Sequence, residues 1–170
     1  MKLIKRLVLF LILSASTVMA SEPQAVILTD HGEIHLELYE EQAPQTVANF
    51  RKLARQGFYD GLSFHRVVPG FVIQGGDPAG NGTGGPGYDL PAEIAPQLKH
   101  RTGTLAMARK GDQVNPQRRS SGSQFYICLA PQPHLDGAYT IFGQVQEGMD
   151  AVRKVRAGDR ILKIKFVEDH

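Results

Sequence analysis

The apolar residues of this chain fall in short runs with a two-residue period, and the runs end at glycine or proline. No other feature limits the fold as much. In GEIHLEL, Ile34, Leu36 and Leu38 alternate with His35 and Glu37, and RILKIKFVE near the C-terminus alternates in the same way. Period-two alternation marks a strand with one buried face. AVILTDHGEIHLELY reads as two such strands joined by a turn at Asp30-His31-Gly32, and TGTLAMAR, SQFYICLA and YTIFGQV read as three more. The period changes in EEQAPQTVANFRKLARQG, where Val47, Phe50, Leu53 and Ala54 recur at helical spacing. Pro44 suits an early helical position there and Gly57 suits the stop. Glu147 to Ala157 allows a second, shorter helix. The residues alone therefore predict a mainly β domain, either a barrel or a sandwich.

The first twenty residues have a different character. MKLIKR is a short basic segment, LVLFLILSAST is apolar, and Val18-Met19-Ala20 fits a signal peptidase cut after Ala20. The apolar run is shorter than the ~20 residues a membrane span needs, and an uncleaved anchor is the alternative to a cleaved leader. Lys5-Arg6 is not a twin-arginine pair, and no cysteine lies near the cut. The expectation is a signal peptide over residues 1–20 and one domain over 21–170, exported to a bacterial periplasm, with a mature form that does not span the membrane. Cleavage would take Lys2, Lys5 and Arg6 from the 19 basic side chains, leaving 16 against 17 acidic ones and a net charge of −1. That balance gives no argument for a nucleic-acid partner. The single Cys128 cannot form an intramolecular disulfide, so the core must hold the fold.

Several motifs point less far than they first suggest. Gly80, Gly82 and Gly85 match G-x-G-x-x-G, but Pro86-Gly87-Tyr88 follows where a nucleotide-binding loop would open a helix, so the segment reads as a surface loop. His31, His35 and Glu33 lie close in sequence without further converging ligands, which reads as exposure to solvent and not as a metal site. Ser123 lies outside a nucleophile elbow, and Cys128 sits in an apolar strand, as a core residue does. Arg109, Lys110, Arg118 and Arg119 flank a polar loop that could border a groove.

FHRVVPGFVIQGGD poses a different question. It is apolar and β-branched, yet it carries Arg66 and Gln74. A guanidinium cannot shed its charge and is costly to bury without a partner. A lone arginine in a strand ordinarily faces solvent, and Pro69-Gly70 breaks the alternation, so spacing does not settle which side chains share a face.

Three segments in order, FHRVVPGFVIQGGD, SSGSQFYICL and HLDGAYTIFGQV, resemble the cyclophilin-type peptidyl-prolyl cis-trans isomerases, and TDHGEIHLELYEEQAPQTVANF resembles that family's opening strands and helix. The likeness runs from about Ala25 to Val167, and the leader is similar to that of the exported bacterial branch. It implies a mainly β fold, a closed eight-stranded antiparallel barrel capped by two α-helices. It implies that Arg66 and Gln74 are catalytic. It further implies that Phe71, Val72, Ala108, Arg109, Gln124, Tyr126, His134, Leu135 and Tyr139 bind substrate.

Some positions depart from the family's commonest residues. Tyr126 stands for phenylalanine, Val72 for methionine, Tyr139 for histidine and Arg109 for an asparagine that contacts substrate backbone. His134 replaces the tryptophan tied to tight cyclosporin A binding, so weak binding is expected. The implied reaction is rotation about X-Pro bonds in proline-containing peptides and in exported proteins that are still folding. The implied enzyme is a monomer, without cofactor or metal. Two other readings compete: a cyclophilin-like scaffold that binds without catalysis, and a nucleotide-dependent enzyme built on the glycine loop. The presence of Arg66, Phe71 and Gln74 favours the isomerase.

Overall fold

The computed structural model describes residues 24–167, so the expected leader lies outside the described residues. Within them the order is β1 (Ala25–Thr29), β2 (Gly32–Leu38), α1 (Pro44–Arg55), β3 (Arg66–Val68), β4 (Val72–Gly75), β5 (Asp89–Leu90), β6 (Thr104–Met107), β7 (Ser120–Ser121) and β8 (Phe125–Cys128). A 3-10 turn (Pro133–Leu135), β9 (Ile141–Glu147), α2 (Met149–Lys154) and β10 (Ile161–Phe166) complete it. Eight strands form one antiparallel sheet in the order β10-β1-β2-β9-β6-β8-β4-β3, and β5 pairs with β7 apart from it.

Alternation sorts the side chains of this sheet between two apolar layers. Ile27, Ile34, Leu36, Ile73, Leu105, Met107, Phe125 and Ile127 enter the main core. Their neighbours Val72, Ala106, Tyr126 and Cys128 point to the other face and form a smaller cluster there. Helix α1 covers the main core with Val47, Phe50, Leu53 and Ala54, the four residues read as helical from their spacing. The Phe50 ring lies 5.3 Å from Tyr59, 5.7 Å from Phe125 and 5.3 Å from Phe142. Such tilted and edge-on pairs each contribute about 0.5–1.5 kcal/mol beyond the area they bury.

The N-terminus of α1 has no capping side chain of its own and no acidic residue in its first turn. A carboxylate from the β5–β6 connection takes that place. Glu93 Oε1 accepts from the Gln45 N–H at 3.0 Å, and Oε2 accepts from the Thr46 N–H at 2.9 Å and the Thr46 hydroxyl at 2.8 Å. These bonds satisfy donors that the helix cannot satisfy internally and set a negative charge at its positive end.

Two expectations need correction. The eight-stranded sheet is a curled half-barrel, not a closed barrel. Its edges β3 and β10 share no ladder. The seam is spanned where the start of β10 and the residue pair before it meet the chain ahead of β3: Ile161 N–H donates to Leu62 O at 2.8 Å and Phe64 N–H to Asp159 O at 2.8 Å. Strand β3 is only three residues long and ends at Pro69-Gly70, so it is too short to close the gap as a regular strand. The second helix is also shorter than 147–157. Glu147 still belongs to β9, and Gly148 makes the turn with φ 92, where an added Cβ would come 2.1 Å from Glu33 O. Two smaller differences follow the same logic. Gly32 opens β2 and does not belong to the turn, and the pair β5–β7 is too short to carry a readable period.

Glu93→Ala should therefore lower unfolding stability by about 1–2 kcal/mol, as loss of an N-terminal cap does. Chemical denaturation would measure it, and an unchanged midpoint would show that the bonds to α1 are energetically idle.

Candidate active site

Strand register brings Arg66 and Gln74 together. Strands β3 and β4 form a hairpin over Pro69-Gly70 in which Arg66 lies opposite Gln74 and Val68 opposite Val72. Gln74 lies opposite Tyr126 on β8, and Tyr126 opposite Ala106 on β6. Directly paired residues share a face. A row of side chains, Arg66, Gln74, Tyr126 and Ala106, therefore crosses the sheet on the side away from the main core. Phe71, at the hairpin tip, packs against this smaller cluster along with Ala108, Leu135 and Tyr139.

These side chains surround a cavity of about 240 Å³, lined by Arg66, Phe71, Val72, Gln74 and Ala108, with Arg109, Tyr126, Leu135 and Tyr139. Nine of the eleven expected site residues thus meet around one hollow. The other two stand just behind it. His134 stacks on Phe71 with ring centroids 5.8 Å apart, and Gln124 accepts a hydrogen bond from Gln74 Nε2 at 3.0 Å. A larger hollow of about 450 Å³ adjoins the first and shares Gln74, Ala108 and Arg109 with it. Its remaining walls are mostly glycines and polar side chains, so the smaller one holds the apolar site.

Arg66 is exposed, and its guanidinium lies 5.6 Å from the Phe71 ring centroid. Nη1 donates to Gln74 Oε1 at 3.3 Å. Gln124 in turn donates to Gly82 O at 3.1 Å and Gly84 O at 2.8 Å. A line of amide hydrogen bonds therefore runs from the arginine through two glutamines into the glycine-rich loop. Arg109 is more tightly held. Its guanidinium sits 4.5 Å over the Tyr139 ring, Nε donates to Ala138 O at 2.8 Å, and Nη1 bonds Asp112 at 2.6 Å. Those two donors are spent within the protein, so Arg109 meets the cavity mainly as a wall.

Sequence reading passed over four residues behind the site. Asp77 is 1% exposed, and its carboxylate accepts from the backbone N–H groups of Ala79, Asn81 and Gly82. Burial alone would raise its pKa, but these donors and the nearby His65 bring it below the ordinary value. Gly76, just before it, has φ 83 and leaves no room for a Cβ, which would meet Ser123 O at 2.4 Å. His100 and Asp136 stand beneath Tyr126: His100 Nε2 lies 3.0 Å from the Tyr126 hydroxyl, and Nδ1 lies 3.0 Å from Asp136 Oδ1. The available signal was Tyr126 itself, since a phenol read as part of an apolar pocket needs a partner for its hydroxyl.

The other motifs have structural places. The glycine loop is organised by Asp77 and Gln124. His31 bonds Asp159 at 2.6 Å, and His35 lies 3.1 Å from Glu33. The Ser123 hydroxyl donates to Gly76 O at 2.7 Å. Cys128 is buried in the smaller cluster, and burial pushes its thiol pKa up to about 12. Among the described residues no group of three His, Cys, Asp or Glu side chains is placed to hold a metal ion, and no helix is long and apolar enough to cross a membrane.

The chain is similar to known proteins. Residues 25–168 match the family described as cyclophilin type peptidyl-prolyl cis-trans isomerase/CLD. A peptidyl-prolyl cis-trans isomerase of Synechococcus elongatus is 54% identical over 148 residues, covering 86% of this chain and 97% of that protein. Peptidyl-prolyl cis-trans isomerase B of Bacillus subtilis is 49% identical over 140 residues, covering 82% and 94%. Among solved structures, a cyclophilin type peptidyl-prolyl cis-trans isomerase from Cryptosporidium parvum, crystallised in the presence of the dipeptide Ala-Pro, matches with a TM-score of 0.78. It is 32% identical, and the match covers 86% of this chain and 99% of that one.

Asp77 generates a pH prediction. A carboxylate whose pKa is depressed by folding contributes stability above its unfolded value, and that contribution is lost as pH falls through the folded value. Asp77→Asn should cost roughly 1–3 kcal/mol at neutral pH, the range for hydrogen bonds to a charged group. It should also flatten the loss of stability below about pH 4, where the wild-type carboxylate takes up its proton. Thermal melts from neutral to acid pH would show this; identical acid slopes in both proteins would count against the assignment.

Proposed function

Because the chain belongs to the cyclophilin-type peptidyl-prolyl cis-trans isomerases, we propose that it rotates X-Pro bonds by seating the proline ring in the cavity beside Arg66 and stabilising the twisted amide with that guanidinium. The reaction breaks no covalent bond. Its barrier of about 18–20 kcal/mol comes from amide resonance, which a planar X-Pro bond keeps and a twisted one loses. Uncatalysed exchange takes tens of seconds or more. A catalyst must bind the twisted form better than either planar form.

The twisted amide differs at the proline nitrogen, whose lone pair becomes localised and able to accept a hydrogen bond. A fixed cationic donor at that nitrogen acts on the transition state selectively. Arg66 supplies that donor through the fixed fork of N–H groups a guanidinium presents. Gln74 orients it through one of its five donors, and Gln124 supports Gln74 from behind. Phe71, Val72, Tyr126 and Leu135 supply apolar surface for the ring. The observation that carries this reading is the register that sets Arg66 opposite Gln74 at the rim of that cavity.

The sequence of residues 1–20 supports a periplasmic site of action on proline-bearing segments of exported proteins. On this reading the enzyme acts as a monomer. His134 offers a smaller face beside Phe71 than the tryptophan of many eukaryotic relatives, so cyclosporin A binds weakly.

Exchange NMR on a short X-Pro peptide tests the reaction. Arg66→Ala should keep the fold and lose roughly 2–3 kcal/mol of barrier lowering, about thirty- to 150-fold in rate. Near-normal turnover in that variant would sink the mechanism. Stoichiometric cyclosporin A should leave wild-type exchange largely intact. The export reading expects a periplasmic protein whose intact mass begins at Ser21; a cytoplasmic protein that keeps Met1 would overturn it.

A further inference from the structure

Tyr126 brings a hydroxyl to the floor of an apolar cavity, and the structure shows where it goes. The residue is 5% exposed, and its oxygen points away from the cavity to His100 Nε2 at 3.0 Å. The His100 side chain is fully buried. Its ring lies nearly parallel to that of Tyr126, at 13°, and Tyr139 stands edge-on to both. On the far side, Asp136 Oδ1 lies 3.0 Å from Nδ1 and also accepts the His100 backbone N–H at 2.8 Å.

The protons in this line can be placed. Burial alone would raise the Asp136 pKa, but the two His100 bonds and Lys99 hold it below the ordinary value, so the group is a carboxylate and can only accept. Nδ1 therefore carries a hydrogen. Burial disfavours the charged imidazole despite Asp136, so His100 is neutral. In a neutral imidazole with Nδ1 protonated, Nε2 is an acceptor. The Tyr126 hydroxyl donates to it. Asp136 directly follows Leu135 and ends the turn that carries it.

We propose that His100 is a positioning residue for the isomerase: held in one tautomer by Asp136, it accepts the Tyr126 hydroxyl and fixes the ring on the cavity floor. The proposal rests on the reading of that cavity as the proline site. His100 touches no substrate and acts only through Tyr126. Without it the phenol ring loses the hydrogen bond that fixes its tilt, and the loss falls on the seating of proline.

A double-mutant cycle with His100→Leu and Tyr126→Phe tests this, read as kcat and KM for an Ala-Pro peptide, with melting curves to confirm folding. His100→Leu alone should lower kcat/KM roughly tenfold, mostly through KM, as misplacement of a positioning group does. In the Tyr126→Phe protein the same change should cost no more than about twofold, because the hydroxyl it serves is gone. Equal losses in both backgrounds overturn the proposal. Nitrogen NMR of the wild-type His100 ring provides a second test should His100→Leu fail to fold. A ring protonated at Nδ1, with an Nε2 signal that moves in Tyr126→Phe, is expected; a ring protonated at Nε2 overturns the proposal. Wild-type turnover in Arg66→Ala would defeat the cavity reading and this proposal with it. Equal losses alongside an intact Arg66 effect would defeat this proposal alone.

Discussion

The site depends on strand register. Across β3, β4, β8 and β6 each residue faces either the main core or the smaller outer cluster, and pairing carries that choice from strand to strand. The core enforces it. Ile73, Phe125, Ile127, Leu105 and Met107 are essentially excluded from water, and a one-residue slip would turn all of them outward. The same slip would turn Arg66 and Gln74 inward. The hydrophobic effect, which has no directional preference, thus specifies the direction of a charged side chain on the far side of the sheet.

Polar bonds then refine what register sets. The line from Arg66 through Gln74 and Gln124 ends on carbonyl groups of the glycine loop, and Asp77 holds that loop from beneath through three backbone amides. Below the cavity, Asp136 and His100 complete the Tyr126 hydroxyl. Each network begins at a cavity residue and ends in backbone or in a half-buried carboxylate, so it resists partial displacement: loss of one member strands another polar group.

Much of this was legible in the chain because it rests on local periods. Strands β1, β2, β6, β8, β9 and β10 and helix α1 follow the alternation and spacing of their own residues. The resemblance supplied the eleven expected site residues, and nine of them line one cavity. What escaped reading depends on contacts distant in sequence. Glu93 caps a helix some 47 residues away, and His100 meets Tyr126 across 26 residues and Asp136 across 36. No local period marks such partners. The closed barrel failed for a related reason, since closure depends on whether β3 and β10 meet, and a three-residue β3 stops short.

Strand β1 draws its two partners from very different times in the life of the chain. Its hairpin partner β2 follows within a few residues, but its other neighbour is β10, and Ala25 lies opposite Phe166. Phe166 also carries the cationic faces of Arg51 and Arg55 from α1. A chain emerging N-terminus first therefore has its opening hairpin and helix long before the strand that covers them. Long-range pairing of this kind delays completion of the sheet until β10 is free. The domain cannot finish folding while β10 remains in the ribosome, and until then the outer edge of β1 stays open to other chains.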